Sequence, residues 1–238
     1  MENQFDMRMQ DTGFSPLMTD VNLRSRFLVR TYANLLGAVL AFIALETVLF
    51  SLFFNQIIGL LGSPQAVCIA ILAVGLTGPF IGSMIINHSK TISGHYVALG
   101  FYVLMYVVMF TPILAVAYGV FGTGLIVQAG LVTGVIFVLL SLTVFLTKKD
   151  FSFLRSFLVF ASLAAVGFIV VSLIFGFNLG LGFTYAMIAL ASLYILYDTS
   201  NVMLHCDESM YVVAAIELFA SVMLLFFYIL RLFMSRSE

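Results

Sequence analysis

Apolar residues run along this chain in long blocks, separated by short polar knots. The blocks fall at 31–53, 65–87, 95–118, 124–146, 153–176, 181–204 and 211–234. Each is near the roughly 20 residues that a helix needs to cross ~30 Å of hydrocarbon. The knots carry turn chemistry: Asn55-Gln56 to Ser63-Pro64, His88 to Gly94, Gly119 to Gly124, Thr147 to Asp150, Gly176 to Gly182 and His205 to Ser209. The pattern predicts an all-α polytopic membrane protein with seven transmembrane helices. Residues 1–29 read as a polar cytoplasmic tail, flexible or interfacial, ahead of a seven-helix domain over 30–238. The tail has no apolar core followed by a small-residue cleavage site, so it is not expected to be a signal peptide. Its acids Asp6, Asp11 and Asp20 argue against a mitochondrial transit segment.

Inside the blocks, small and polar residues hold particular registers. Gly78-x-x-x-Gly82 in the second block and Gly130-x-x-x-Gly134 in the fourth have the spacing of a tight helix crossing. Pro79 and Pro112 are expected to kink their helices. In the sixth block Tyr194, Asp198, Asn201 and His205 share one helical face. In the seventh, Ala214, Glu217, Ser221, Leu224, Tyr228 and Arg231 share another. Tyr194, Asn201, Ser221, Tyr228 and Arg231 are expected to line the contact between these two helices. Asp198 and Glu217 stand about equally far from the hairpin centre near Asp207 and Glu208, so an antiparallel pair predicts equal depth. An ionisable group at the centre of a membrane helix costs roughly 2.5–3.5 kcal/mol on insertion scales, which marks both acids as functional candidates.

Composition sharpens the class. Only 9% of residues are charged, against about 25% in a soluble domain, too few to cover a globule in water. The net charge of −1 leaves no basic surface for nucleic acid. Trp is absent, so any interfacial aromatic belt is Tyr and Phe. Cys68 and Cys206 fall near opposite membrane faces and are not expected to pair. Arg8, Arg24, Arg26 and Arg30 precede the first helix, Lys90 lies in the second-third loop, and Lys148, Lys149 and Arg155 lie in or beside the fourth-fifth loop. The loops on the other side lack Lys and Arg, and only Arg231 and Arg236 lie at the C-terminal end. The positive-inside rule then predicts a cytoplasmic N-terminus, an outside C-terminus and a cytoplasmic sixth-seventh hairpin.

Three stretches resemble a known family. Thr147-Lys-Lys-Asp-Phe-Ser-Phe-Leu154 is similar to a loop motif of the Bax inhibitor-1 (transmembrane BAX inhibitor motif) family. Tyr194-Ile-Leu-Tyr-Asp-Thr-Ser200 is similar to its sixth-helix motif, and Leu225-Phe-Phe-Tyr-Ile-Leu-Arg-Leu-Phe233 to the end of its seventh helix. The resemblance runs from about Val29 to the C-terminus. It is closest to a bacterial branch that includes a modulator of a membrane-anchored AAA+ protease of the FtsH type. It implies a bundle in which six helices surround a central seventh, in a bacterial inner (cell) membrane. It also implies a buried acid pair on the sixth and seventh helices, linked to a pH-sensitive cation leak that passes calcium. Asp198 matches the sixth-helix acid. Counting back from Tyr228-Ile-Leu-Arg231, the seventh-helix aspartate position is Ser221, and the nearest acid is Glu217, one turn closer to the hairpin. Either Glu217 substitutes from that adjacent turn or this branch lacks the pair.

The chemistry of such a pair follows from burial. A dry carboxylate disfavours its charged form, and two carboxylates in contact titrate as one coupled system. A shared proton holds two helices together. Its loss leaves like charges in low dielectric, favours a hydrated state and exposes oxygens suited to a hard cation such as Ca²⁺. The bland alternative places Asp198 near the interface, hydrated or capping a helix end. Glu46 stands alone deep in the first helix, either a neutral acid bonded to a neighbouring helix or part of a cation path. Arg231 either snorkels to the outer surface or pairs with an acid. His205, Cys206, Asp207 and Glu208 carry ligand-type side chains but read as a solvated turn. His88 and His95 lack an HExxH-type context. No nucleophile–base arrangement, phosphate-binding loop or cofactor signature is present, so neither an enzyme nor a resident metal or cofactor is expected, with Ca²⁺ at most transient. Two functions remain: a proton-gated cation leak with Asp198 and Glu217 as sensor and gate, and a modulator of an AAA+ protease acting through the polar tail. The expected partners are the bilayer, cations and that protease.

Overall fold

The computed structural model describes residues 16–60, 64–88 and 91–236, with side chains described from Leu23 on except at positions 55, 58, 60–73 and 76. Asp6, Arg8, Asp11 and Lys90, and the side chains of Asp20 and Cys68, lie outside the described residues. The helices are α1 (Pro16–Leu60), α2 (Pro64–His88), α3 (Ile92–Phe121), α4 (Thr123–Thr147), α5 (Leu154–Phe175), α6 (Gly180–Leu204) and α7 (Tyr211–Arg236). A single 3-10 turn, Glu208–Met210, leads into α7. Among the described residues α1 and α3 to α7 each hold a stretch long and apolar enough to cross a membrane. Helix α2 has a comparable length of 25 residues. The chain is thus an all-α polytopic membrane protein.

Helices α2 to α7 follow the apolar blocks closely. Helix α1 does not: it starts at Pro16 and continues to Leu60 without a break at residues 29 or 30. Hydropathy marks the part of a helix that sits in lipid, not the helix itself. Pro16 suits a first helical position, and no Gly or Pro interrupts the segment up to Gly37. The buried stripe Phe27, Thr31, Leu35, Ala38, Phe42 and Glu46 keeps its three-four spacing straight through the expected boundary.

The turns have local causes. Gly122 alone separates α3 from α4, at φ 76°, where a side chain would be strained. Gly176 ends α5 in the left-handed conformation at φ 70°. Thr91 caps α3, its Oγ1 accepting the Gly94 N–H at 3.3 Å.

Helix α7 packs along α6, α1, α4 and α3, while α2 leans mainly on α3 and α5 on α6. Buried α7 residues point in every direction, among them Ala214, Ile216, Leu218, Phe219, Leu225 and Leu230. The outward faces are apolar instead, as at Leu146, 81% exposed, and Phe175, 75% exposed. Such a surface suits lipid, which cannot hydrogen-bond to it. A Cβ on Gly78 or Gly82 would collide with Met105 or Tyr102 of α3, so this pair does mark a close helix approach. The second expected crossing is not made within the chain: Cβ atoms on Gly130 and Gly134 would meet nothing within 4 Å, and both glycines lie exposed on α4.

Aromatic rings fill much of the bundle interior. Tyr106 meets Phe219 edge-on at 5.4 Å, and Phe110 stacks on Phe226 at 5.5 Å and meets Phe42 edge-on at 5.5 Å. In a membrane, where lipid is as apolar as leucine, packing of this kind supplies much of the cohesion between helices.

Candidate functional site: a polar hub at the end of α6

Four consecutive polar residues, Asp198, Thr199, Ser200 and Asn201, close the last two turns of α6. At about 100° per residue they point to different neighbours. Asp198 turns to α7, where the Ser221 hydroxyl donates to its Oδ2. Both are buried, at 7% and 5% exposure. Thr199 turns toward Tyr32 of α1. Ser200 accepts the Phe151 N–H at 3.0 Å and donates to the Lys149 carbonyl at 3.2 Å. Asn201 places its amide against the Glu217 carboxylate and reaches the Cys206 sulfur at 3.8 Å.

The hydrogen-bond partner of Asp198 is therefore Ser221, while Glu217 pairs with Asn201. Equal depth for the two acids is not what forms. Side chains on a helix lean toward its N-terminus. On α6 that is away from the hairpin; on α7 it is toward it. Asp198 therefore reaches inward while Ser221 reaches back to meet it. Glu217, one turn or about 6 Å nearer the hairpin than Ser221, leans back to Asn201 and stays accessible. Equal Cα depth was the wrong measure; side-chain direction sets the register.

The other predicted positions divide. Tyr194 faces α5 rather than α7: its hydroxyl and Ser162 Oγ are 2.6 Å apart. Tyr228 is buried between Phe227 and Phe183, with ring centroids 5.1 and 6.3 Å away. Arg231 is half-buried beside the Tyr228 phenol, and among the described residues it forms no salt bridge with an acid. Glu46, at 6% exposure, lies against Thr111 of α3, 3.3 Å from Oγ1 to Oε2. Thr111 also donates to the Val107 carbonyl at 2.7 Å. The acid is thus bonded to a neighbouring helix, α3.

Arg24 was legible only as one of a cluster of positive charges. Its guanidinium donates to the carbonyls of Val202 (2.9 Å), Met203 (3.1 Å) and Cys206 (2.6 Å). The last carbonyls of a helix lack intrahelical partners and carry its negative dipole end, so a cation fits there. Arg24 also sits over the Phe27 ring at 4.9 Å, and Arg30 over Tyr211 at 5.6 Å. These contacts bring the start of α1, the α4–α5 loop and the α6–α7 hairpin to one face, the hairpin face.

On that face Asp150 folds the loop back on itself, its Oδ1 accepting the Ser152 N–H at 2.8 Å and the Ser152 hydroxyl at 2.5 Å. These bonds, with help from His205 Nε2 at 3.4 Å from Oδ2, hold the Asp150 carboxyl below the ordinary aspartate range. Burial, reinforced by the Glu217 charge, pushes the Cys206 thiol up to about 11. Among the described residues no three His, Cys, Asp or Glu side chains converge as metal ligands.

A bundle with a lipid-like exterior and a carboxylic acid held inside it defines an integral membrane protein with several spans. Over residues 24–238 the chain matches the family described as Inhibitor of apoptosis-promoting Bax1, and it belongs to that Bax inhibitor-1 family. It is similar to an uncharacterized protein of Pseudomonas aeruginosa, 35% identical over 113 residues that make up 47% of this chain and 50% of that one. An uncharacterized membrane protein of Vibrio cholerae is 38% identical over 112 residues, 44% of this chain and 47% of its own. The chain spans about half the length of the curated relatives it matches.

Proposed function

We propose that the protein is a pH-sensitive cation leak, calcium included, with Asp198 as gate and Glu217 as the collecting carboxylate at its mouth. The observation that carries this reading is the buried bond from Ser221 to Asp198 at the α6–α7 seam, one turn inside the accessible Glu217. With Asp198 protonated, the seam is neutral and closed, and the rings around Phe110 plug the path beyond it. Loss of the proton as pH rises puts an uncompensated charge in a dry contact, which water relieves by entering and parting α6 from α7. Carboxylate, serine and asparagine oxygens then offer a hard cation its preferred ligands. The protein passes an ion and transforms no substrate. In this reading the membrane is the bacterial inner membrane, and Arg24, Arg26, Arg30, Lys148 and Lys149 support a cytoplasmic hairpin face with the C-terminus outside. The test is calcium flux into liposomes across a pH series. Wild type is expected to leak more as pH rises and Asp198→Asn to lose that dependence. An unchanged profile in the variant overturns the reading.

A second reading is favoured by Arg24. It ties the helix that follows the tail to the acid-bearing hairpin. A membrane-anchored AAA+ protease of the FtsH type that engages the tail would act on this clasp. Deleting residues 1–15, which precede α1 and leave Arg24 in place, is expected to abolish protease modulation while sparing flux.

A further inference from the structure

Five buried polar atoms lack a hydrogen-bond partner among the described residues: Thr31 Oγ1, Tyr32 Oη, His95 Nδ1, Ser141 Oγ and Thr199 Oγ1. All lie in the half of the bundle next to the hairpin face. Thr31 and Tyr32 stand about two turns beyond Arg24, His95 in the first turn of α3, and Ser141 and Thr199 in the last two turns of α4 and α6. Three of the five converge. The Tyr32 phenol of α1 lies beside both the Ser141 hydroxyl of α4 and the Thr199 hydroxyl of α6, yet none of the three oxygens completes a hydrogen bond of good geometry.

Other helical hydroxyls in this protein satisfy themselves. Those of Thr111, Thr133, Thr143, Ser162, Thr184 and Ser192 each turn back to the carbonyl one turn earlier. The hydroxyls of Ser141 and Thr199 make no such bond and lie beside Tyr32 instead. Tyr32 cannot swing away, because its ring is held by Phe137 and Phe145 at 6.2 and 5.7 Å. A buried hydroxyl left unpaired costs about 1–3 kcal/mol, and three meeting at one point is an arrangement that a bound molecule relieves.

We propose that Tyr32, Ser141 and Thr199 bind one internal water that bridges α1, α4 and α6. A water has two protons to give and two lone pairs to receive, and internal waters make 2–4 hydrogen bonds, typically about three. Three hydroxyls from three helices meet that need. The site lies on a different face of α6 from the Asp198–Ser221 bond, so α6 is joined to α7 by a direct bond and to α1 and α4 through a solvent molecule.

The test uses the full chain in detergent or nanodiscs. Tyr32→Phe, Ser141→Ala and Thr199→Val are each expected to lower the unfolding midpoint. The triple variant is expected to lower it by clearly less than the sum, because removing every partner releases the water and strands no polar atom. Thr199→Ser is expected to keep the wild-type midpoint. Strict additivity of the three losses overturns the proposal. A wild-type structure that resolves waters decides independently of any variant's folding. A water within hydrogen-bonding distance of all three atoms supports the site; hydroxyls bonded directly to one another, or a dry site, overturn it.

Discussion

The two halves of this bundle solve the same problem differently. Toward the hairpin face, interior contacts run through polar atoms: Ser221 to Asp198, Ser200 to the α4–α5 loop, Arg24 to the end of α6, and three hydroxyls gathered at Tyr32. Toward the other face, rings pack on rings around Phe110, and the buried acid Glu46 has a hydroxyl partner on α3. Among the described residues, the five unpartnered buried polar atoms fall in the first half. Interhelical hydrogen bonds in membranes average only about 0.6 kcal/mol, so the polar half is cheap to rearrange. The ring-packed half is not. A protein that opened at the hairpin end and held at the other would be built this way.

Three changes probe that contrast, the largest first. Phe110→Ala removes a fully buried ring that touches α1 and α7, and a loss of about 3–5 kcal/mol is expected for such a truncation, read by denaturant unfolding in micelles. Arg24→Ala strips three carbonyls of a charged donor, and about 2 kcal/mol is expected, with faster hydrogen exchange confined to the last turn of α6. If Arg24→Ala cost more than Phe110→Ala, the contrast between the halves would be inverted. The smallest effect concerns Asp150. Its carboxyl titrates below the ordinary value of 3.8 when folded, so its stabilisation is present above that value and is lost as pH falls through the lower, folded one. Asp150→Asn is expected to differ slightly from wild type at neutral pH and to converge with it in strong acid, followed by thermal unfolding across the pH range.

Much of this was legible in the sequence. Block length gave the helices, because the thickness of hydrocarbon fixes how many apolar residues a span needs. The hairpin acids stood out, because charge inside such a block is costly. Three kinds of feature were not legible. Where α1 begins is set by helix continuity, to which hydropathy is blind. The choice of Ser221 over Glu217 as partner depends on side-chain lean, which residue counting ignores. Arg24 looks like any positive residue near a membrane until the carbonyls it satisfies are seen. The run Asp198 to Asn201 did carry an unused signal: four polar residues in a row inside a span cannot all face one neighbour.

Helix α1 is one unbroken rod from Pro16 to Leu60. Arg24 and Glu46 ride on it, 22 positions or about 33 Å apart. A load applied to its first turns is carried along a single stiff shaft, so whatever dislodges the clasp at one membrane face also tugs on the acid near the other.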